Sequence, residues 1–177
     1  MPEPQLHGEP VEPTAQVTLR SAGREDCRRL WEWRNELVTR ESSFNTQYIP
    51  YEDHERWFSN KIQASDMRIF IILDAYGREV GYVRFNILAE QAEISVSVDS
   101  AQRGRGYGPA AIRLGSEQIL AAGTVKHVVA HVKSNNPASI SAFRRAGFIV
   151  RGLKEVAGTE AYEMVYEVTP QGAPSAR

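Results

Sequence analysis

Between residues 92 and 99 the chain reads AEISVSVD. Ala92, Ile94, Val96 and Val98 alternate with Glu93, Ser95, Ser97 and Asp99, and a period of two predicts a strand with one apolar and one polar face. MRIFIILD (67–74) is almost continuously apolar and predicts a buried strand. VGYVRFNIL (80–88) follows it after the turn-forming AYGRE, so three consecutive strands joined by short turns form an antiparallel meander. VTLRSA (17–22), HVVAHVK (127–133) and a segment over 162–168 predict three further strands.

Helical periodicity fills the gaps. In REDCRRLWEWRNELV (24–38), Cys27, Leu30, Trp31, Leu37 and Val38 share a stripe, and Arg34 lies on it. RESSFNTQYIP (40–50) is a loop. YEDHERWFSNKI (51–62) has Pro50 at its start, acids in its first turn and a stripe of Tyr51, His54, Phe58 and Ile62, with Trp57 beside it. Pro109 fits the first position of a helix over 109–122, packed through Ile112, Gly115, Ile119 and Ala122. A short helix follows Asn136 as N-cap and Pro137 as first residue, and stops at Gly147. The order is β-α-α-β-β-β-α-β-α-β. The helix over 109–122 is a crossover, which favours one parallel pair. The expected fold class is α/β (α+β), with a mixed, mostly antiparallel sheet flanked by helices. One domain spans 16–168. The proline- and glutamate-rich 1–15 and the stretch 169–177 read as tails.

Composition narrows the function classes. A net charge of -1 in 177 residues gives no global pull toward nucleic acid or membrane. Cys27 is alone, so no internal disulfide forms, which fits a cytoplasmic protein. No apolar run is long enough to span a bilayer. His7, His54, His127 and His131 lack metal-ligand spacing, so no metal is expected.

Chemistry concentrates at QRGRGYG (102–108), between a predicted strand and a predicted helix. Glycines let successive N–H groups converge, the helix dipole adds partial positive charge, and Arg103 and Arg105 add whole charges. The combination suits a phosphate, and a diphosphate best. A P-loop would end in Gly-Lys-Ser/Thr, and a dinucleotide fingerprint would space its glycines differently and open a βαβ series. A flexible glycine turn with solvated arginines is the plain alternative.

Arg103-Gly104-Arg105-Gly106-Tyr107-Gly108 resembles the R/Q-x-x-G-x-G/A motif of the GNAT superfamily of N-acetyltransferases. Asn136-Pro137-Ala138 through Phe143-Arg144-Arg145-Ala146-Gly147-Phe148 resembles that family's N-x-x-A…Y-x-K-x-G-F helix, and the element order agrees over about 17–168. The resemblance implies a GNAT fold in which a splayed strand pair forms an acetyl-CoA cleft. It implies that Arg103, Gly104, Arg105, Gly106, Tyr107 and Gly108 hold the pyrophosphate. The pantetheine would pair with backbone around Val96 and Val98, and Asn136 would bond it from the far wall, near Phe143. Many family members carry a tyrosine at the position of Phe143. Phenylalanine has no proton for the leaving thiolate, so another group supplies it, the thiolate departs unaided, or the chain binds CoA without efficient catalysis. Tyr107 and Ser139 are possible substitutes.

Transfer to an amine requires a neutral amine, a donor for the developing oxyanion and a proton for the thiolate. Glu93 resembles the family's glutamate base, and an exposed strand glutamate paired with a base is the bland alternative. His54 on its apolar stripe is the second candidate, and His131 the third. Trp33-Arg34-Asn35, Ser43-Phe44-Asn45 and His54 with Trp57-Phe58 resemble bacterial N-acetyltransferases of nucleotide-linked amino sugars, as in pseudaminic-acid and spore-coat polysaccharide pathways. That implies a UDP-linked amino sugar or similar small-molecule amine, bound by Arg34, Asn35, Phe44, Asn45, His54 and Trp57. Arg34 needs an anion or a carboxylate partner if buried. A ribosomal-type protein N-terminal acetyltransferase and an aminoglycoside acetyltransferase are alternatives. Monomer and homodimer both fit.

Overall fold

A computed structural model of the chain describes residues 15–167. The expected tails, apart from Ala15, and Val168 lie outside the described residues. Seven strands form one sheet in the order β1-β2-β3-β4-β5-β7-β6. The meander is β2 (Met67–Asp74), β3 (Glu79–Leu88) and β4 (Gln91–Val98), with β1 (Val17–Ser21) antiparallel to β2. Helix α4 (Tyr107–Ala121) carries the chain across one face and sets β5 (His127–Lys133) parallel to β4. Strands β6 (Ile149–Val156) and β7 (Thr159–Glu167) form a hairpin, and β7 pairs antiparallel with β5. The remaining helices are α1 (Cys27–Asn35), α2 (Leu37–Ser42), α3 (Tyr51–Lys61) and α5 (Pro137–Arg145).

The alternation seen in the sequence sorts side chains to two cores. Ala92, Ile94, Val83 and Phe85 face Ile112 and Ile119 of α4 and Phe143 and Phe148 around α5. Gly115 permits this approach, because a Cβ there would stand 3.0 Å from the Phe85 ring. On the other face, Leu30 and Trp33 of α1 and Phe58 of α3 cover Ile69, Ile71 and Tyr82. Each such side chain contributes about 1.5–3 kcal/mol by leaving water.

Three expectations are corrected. The helix expected over 24–38 is broken at Glu36, whose ψ of 138° ends α1 and turns the chain before α2. Leu37 and Val38 therefore leave the expected stripe and are 58% and 50% exposed. The buried tryptophan of α1 is Trp33 rather than Trp31. Its ring stacks on Tyr82, and its indole N–H donates to Asp99 over 2.9 Å. Strand β6 was not expected, since it is an edge strand with only Val150 and Val156 half-buried and carries no alternation.

Asp26 joins β1 to α1. Its carboxylate accepts the Arg20 guanidinium at 2.7 and 2.8 Å and the Gly23 N–H at 2.7 Å, and it is 4% exposed. Burial alone would raise its carboxyl, but these donors outweigh burial and hold it below the ordinary carboxylate range. A depressed folded-state value makes this contribution complete above the unfolded value near pH 4 and removes it as pH falls through the lower folded value. Asp26→Asn is expected to cost about 2 kcal/mol at pH 7 and to flatten the acid limb of stability against pH. Urea unfolding at several pH values measures both, and an unchanged acid limb would refute the assignment.

Candidate active site

Strands β4 and β5 pair only at Gln91↔His127, Ala92↔Val128 and Glu93↔Val129. Beyond that vertex β4 remains paired to β3 as far as Gly81↔Val98, and β5 to β7 as far as Lys133↔Ala161. Each strand is fixed on its outer edge and stripped of ladder partners on its inner edge. The facing N–H and C=O groups, including those around Val96 and Val98, form a cleft suited to an extended ligand with amides of its own.

The open end of that cleft meets the glycine turn. The turn after Val98 is fixed by Asp99, whose side chain accepts the Ala101 N–H at 2.9 Å. Gly104 and Gly106 adopt φ of 76° and 81°, the left-handed region that favours glycine. Helix α4 begins at Tyr107, two residues earlier than Pro109 suggested. The N–H groups of residues 104–108 find no acceptor among the described residues. They make a nest at the N-terminus of a 15-residue helix, and Pro109 brings no N–H of its own. Gly108 sits in the first helical turn beside Val98, where a Cβ would lie 3.8 Å from Val98 Cγ2.

The two arginines differ. Arg105 is exposed and has no partner among the described residues. Arg103 is a strut. Its guanidinium holds both Glu36 carboxylate oxygens and Thr39 Oγ1 at 3.0 Å, and its Nε donates to the Val98 carbonyl at 3.1 Å. The far wall is likewise tied, since Lys133 Nζ donates to the Glu41 carbonyl of α2 at 2.8 Å. Asn136 caps α5 by accepting the Ser139 N–H at 3.1 Å. Phe143, expected beside the cofactor, is 3% exposed and packs edge-on against Phe148 in the core.

At the vertex, Glu93 Oε1 lies 2.8 Å from His131 Nδ1. His131 Nε2 lies 3.4 Å from Glu163 Oε2, and Glu163 also holds Lys154. The Lys154 ammonium, aided by His131, keeps the Glu163 carboxyl below its ordinary range despite partial burial. His131 was the third choice from sequence, and its contact with Glu93 depends on pairing between residues 38 apart.

On the same sheet face lies a cavity of about 260 Å3, lined in part by Arg34, Asn45, Asp53, His54, Trp57 and Arg84. Arg34 Nη2 donates to the Asn45 carbonyl at 2.8 Å, but Arg34 Nη1 is buried without a hydrogen-bond partner. Arg84 Nε is buried and unpartnered in the same way, and its guanidinium lies 5.5 Å from the Trp57 ring centroid. Burial, reinforced by the like charges of Arg84 and Arg40, pushes the Arg34 pKa down. Asp53, the acid on the cavity wall, is shared with Arg56 at 3.3 Å. Sequence reasoning passes over Arg84, although its two-residue spacing from Tyr82 puts both on the face of β3 that α1 and α3 cover.

Among the other expected acceptor residues, Asn35 clasps the loop through both backbone groups of Ile49, at 2.8 and 2.9 Å. Phe44 is half-buried and Asn45 is exposed. His54 is 4% exposed, stacks on Phe58, and donates from Nε2 to the Cys27 carbonyl at 3.1 Å. Burial holds its pKa below the ordinary histidine value, with Arg34 and Arg84 adding to the effect. No group of three metal-ligating side chains occurs, and no helix is long and apolar enough to cross a membrane, among the described residues.

Residues 16–149 match the family model described as an acetyltransferase (GNAT) domain. No curated protein matches significantly. Among solved structures, a spermidine N-acetyltransferase from Vibrio cholerae, in complex with CoA and spermine, superposes with a TM-score of 0.77 at 20% identity, covering 86% of this chain and 95% of that one. An aminoglycoside acetyltransferase in complex with coenzyme A superposes at 0.75 and 19% identity, covering 86% and 95%. At such identities the likeness is one of fold.

An unpartnered guanidinium nitrogen in a cavity opposes folding. Arg34→Met keeps the aliphatic stem and removes that charge. It is expected to raise unfolding stability by about 1 kcal/mol. Thermal or urea unfolding measures the change, and a loss of stability would show that Arg34 is satisfied within the fold.

Proposed function

Because the chain belongs to the GNAT acetyltransferase family, we propose that it transfers the acetyl group of acetyl-CoA to a primary amine held in the Arg34–Arg84 cavity. The observation that carries the cofactor reading is the unpaired inner edge of β4 and β5, opening onto the N–H nest of residues 104–108. A diphosphate fits the nest, with exposed Arg105 supplying charge beside it. The amides of a pantetheine arm fit the strand edges around Val96 and Val98. Bound acetyl-CoA supplies an acetyl group activated as a thioester.

The chain's own residues then hold and deprotonate the acceptor. Glu93, with its side chain 45% exposed at the vertex, takes a proton from the ammonium so that the nitrogen lone pair is free to attack. His54 is less suited to that task, because Nε2 is committed to Cys27 and the ring is stacked. It serves as cavity wall.

The acceptor reading follows from charge. Two guanidinium groups face one cavity with unsatisfied nitrogens and without an ion pair of their own among the described residues. An anionic acceptor repairs both, and Trp57 offers an aromatic face for a sugar or base. A nucleotide-linked amino sugar carries the needed phosphate charge, the aromatic base and the amine. Aminoglycosides are a second reading, favoured by Asp53 on the wall and by the fold of the aminoglycoside acetyltransferase. As polycations, however, they would meet Arg34 and Arg84 as like charges.

Thiol release from acetyl-CoA, followed with UDP-glucosamine, spermidine, kanamycin and a ribosomal-protein N-terminal peptide, separates these readings. Release is expected with UDP-glucosamine. Release with kanamycin or spermidine alone would overturn the anionic acceptor, and CoA binding without release from any amine would overturn transfer. Glu93→Gln is expected to lower kcat about 100-fold or more at an unchanged KM for acetyl-CoA. For the cofactor site, Arg105→Ala is expected to weaken CoA binding about fivefold to tenfold and to leave pantetheine binding unchanged, as read by calorimetry. Equal losses for both ligands would refute the phosphate contact.

A further inference from the structure

The vertex of the cleft contains more than one carboxylate. Glu93 stands on the last residue pair that joins β4 to β5, and His131 stands two residues beyond that pair on β5. Their side chains meet across the point where the strands part, at 2.8 Å. This contact uses Oε1 alone, and Glu93 Oε2 has no partner among the described residues. Behind the imidazole, Glu163 Oε2 approaches Nε2 at 3.4 Å, and Lys154 of the edge strand holds Glu163 in turn. Exposure falls from both ends toward the ring: 45% for the Glu93 side chain, 17% for His131, 22% for Glu163 and 52% for Lys154. Four side chains from four neighbouring strands thus form one polar line across the sheet, and the imidazole is its most enclosed member.

We propose that His131 is the positioning residue of the transfer reaction: its Nδ1–H holds Glu93 Oε1, fixing the carboxylate at the cleft vertex with Oε2 free to take the acceptor's proton. This inference rests on Glu93 being the base. Without His131, a glutamate on a half-exposed strand face samples several rotamers, and only a fraction of them address the cleft. Glu163 Oε2 stands farther off, 3.4 Å from Nε2, and is engaged by Lys154, so the ring proton is left to the closer Glu93 contact. A neutral imidazole carries a single N–H, and the shorter contact, at Nδ1, is the one that uses it. Glu93 gives up what it takes to water through its own exposed edge.

The test uses the full chain. In the cofactor-free protein, histidine 15N shifts are expected to show the neutral His131 ring protonated at Nδ1, and Glu93→Gln is expected to move that proton toward Nε2. A neutral ring protonated at Nε2 in the wild type would overturn the proposal. With acetyl-CoA and UDP-glucosamine, His131→Leu is expected to lower kcat about tenfold or more, with KM for acetyl-CoA changed less than about twofold. His131→Asn, which keeps a donor where Nδ1 stands, is expected to recover most of that loss. The double variant Glu93→Gln with His131→Leu is expected to be no slower than Glu93→Gln alone. Equal losses in the Leu and Asn variants, at matched thermal transitions, would reduce His131 to packing. Wild-type kcat in His131→Leu beside a slow Glu93→Gln would overturn the positioning role alone, and a fully active Glu93→Gln would overturn the base itself.

Discussion

A β-strand in a sheet interior needs hydrogen-bond partners on both edges, and β4 lacks them on one edge from Ile94 onward. An unmet row of backbone donors and acceptors is costly wherever water is excluded. The protein does not relieve that cost by closing the gap. Strand β3 holds β4 along its outer edge, and β7 holds β5. The two strands are therefore fixed to separate halves of the sheet, joined at three residue pairs. Helix α4 starts where β4 stops, so the free N–H groups of the turn face the same opening. The location proposed for the cofactor follows from this single interrupted ladder.

Charge is distributed with equal selectivity. Arg20 is neutralised by Asp26 and Glu79, and Arg103 by Glu36. These arginines join elements to one another. Arg34 and Arg84 reach toward a cavity with nitrogens left unpartnered, at a cost in stability that a structural role does not explain. Arginine is suited to such a site because it stays charged when buried and offers a rigid fork to phosphate. The contrast between satisfied and unsatisfied guanidinium groups separates the frame from the pocket proposed for the acceptor.

Structure is legible in the sequence where local forces decide it. The bounds of β2 and β5 and the Asn136 cap with Pro137 follow from patterning and capping chemistry, and they stand as read. The features missed depend on partners distant in sequence. Glu36 breaks a helix that periodicity would continue, and in its new conformation it meets Arg103, 67 residues away. Strand β6 has no apolar face of its own and is a strand because β7 pairs with it. The nest at the turn is legible in the sequence because contiguous residues encode it. The His131 contact and the Arg84 side of the cavity exist only once the sheet is assembled.

Helix α2 and its N-cap Glu36 touch both rims of the cleft, through Glu36 and Thr39 to Arg103 after β4 and through Glu41 to Lys133 at the end of β5. It behaves as a crossbeam. A crossbeam resists both closure and widening, so the separation of the strands is established when the chain folds. Ligand association then begins from an open slot of set width, and the conformational work of parting two strands is absent from its free energy. Shape selection at this site consequently resembles that of a rigid gauge, which admits a chain of peptide-like thickness and rejects one that would require the beam to bend.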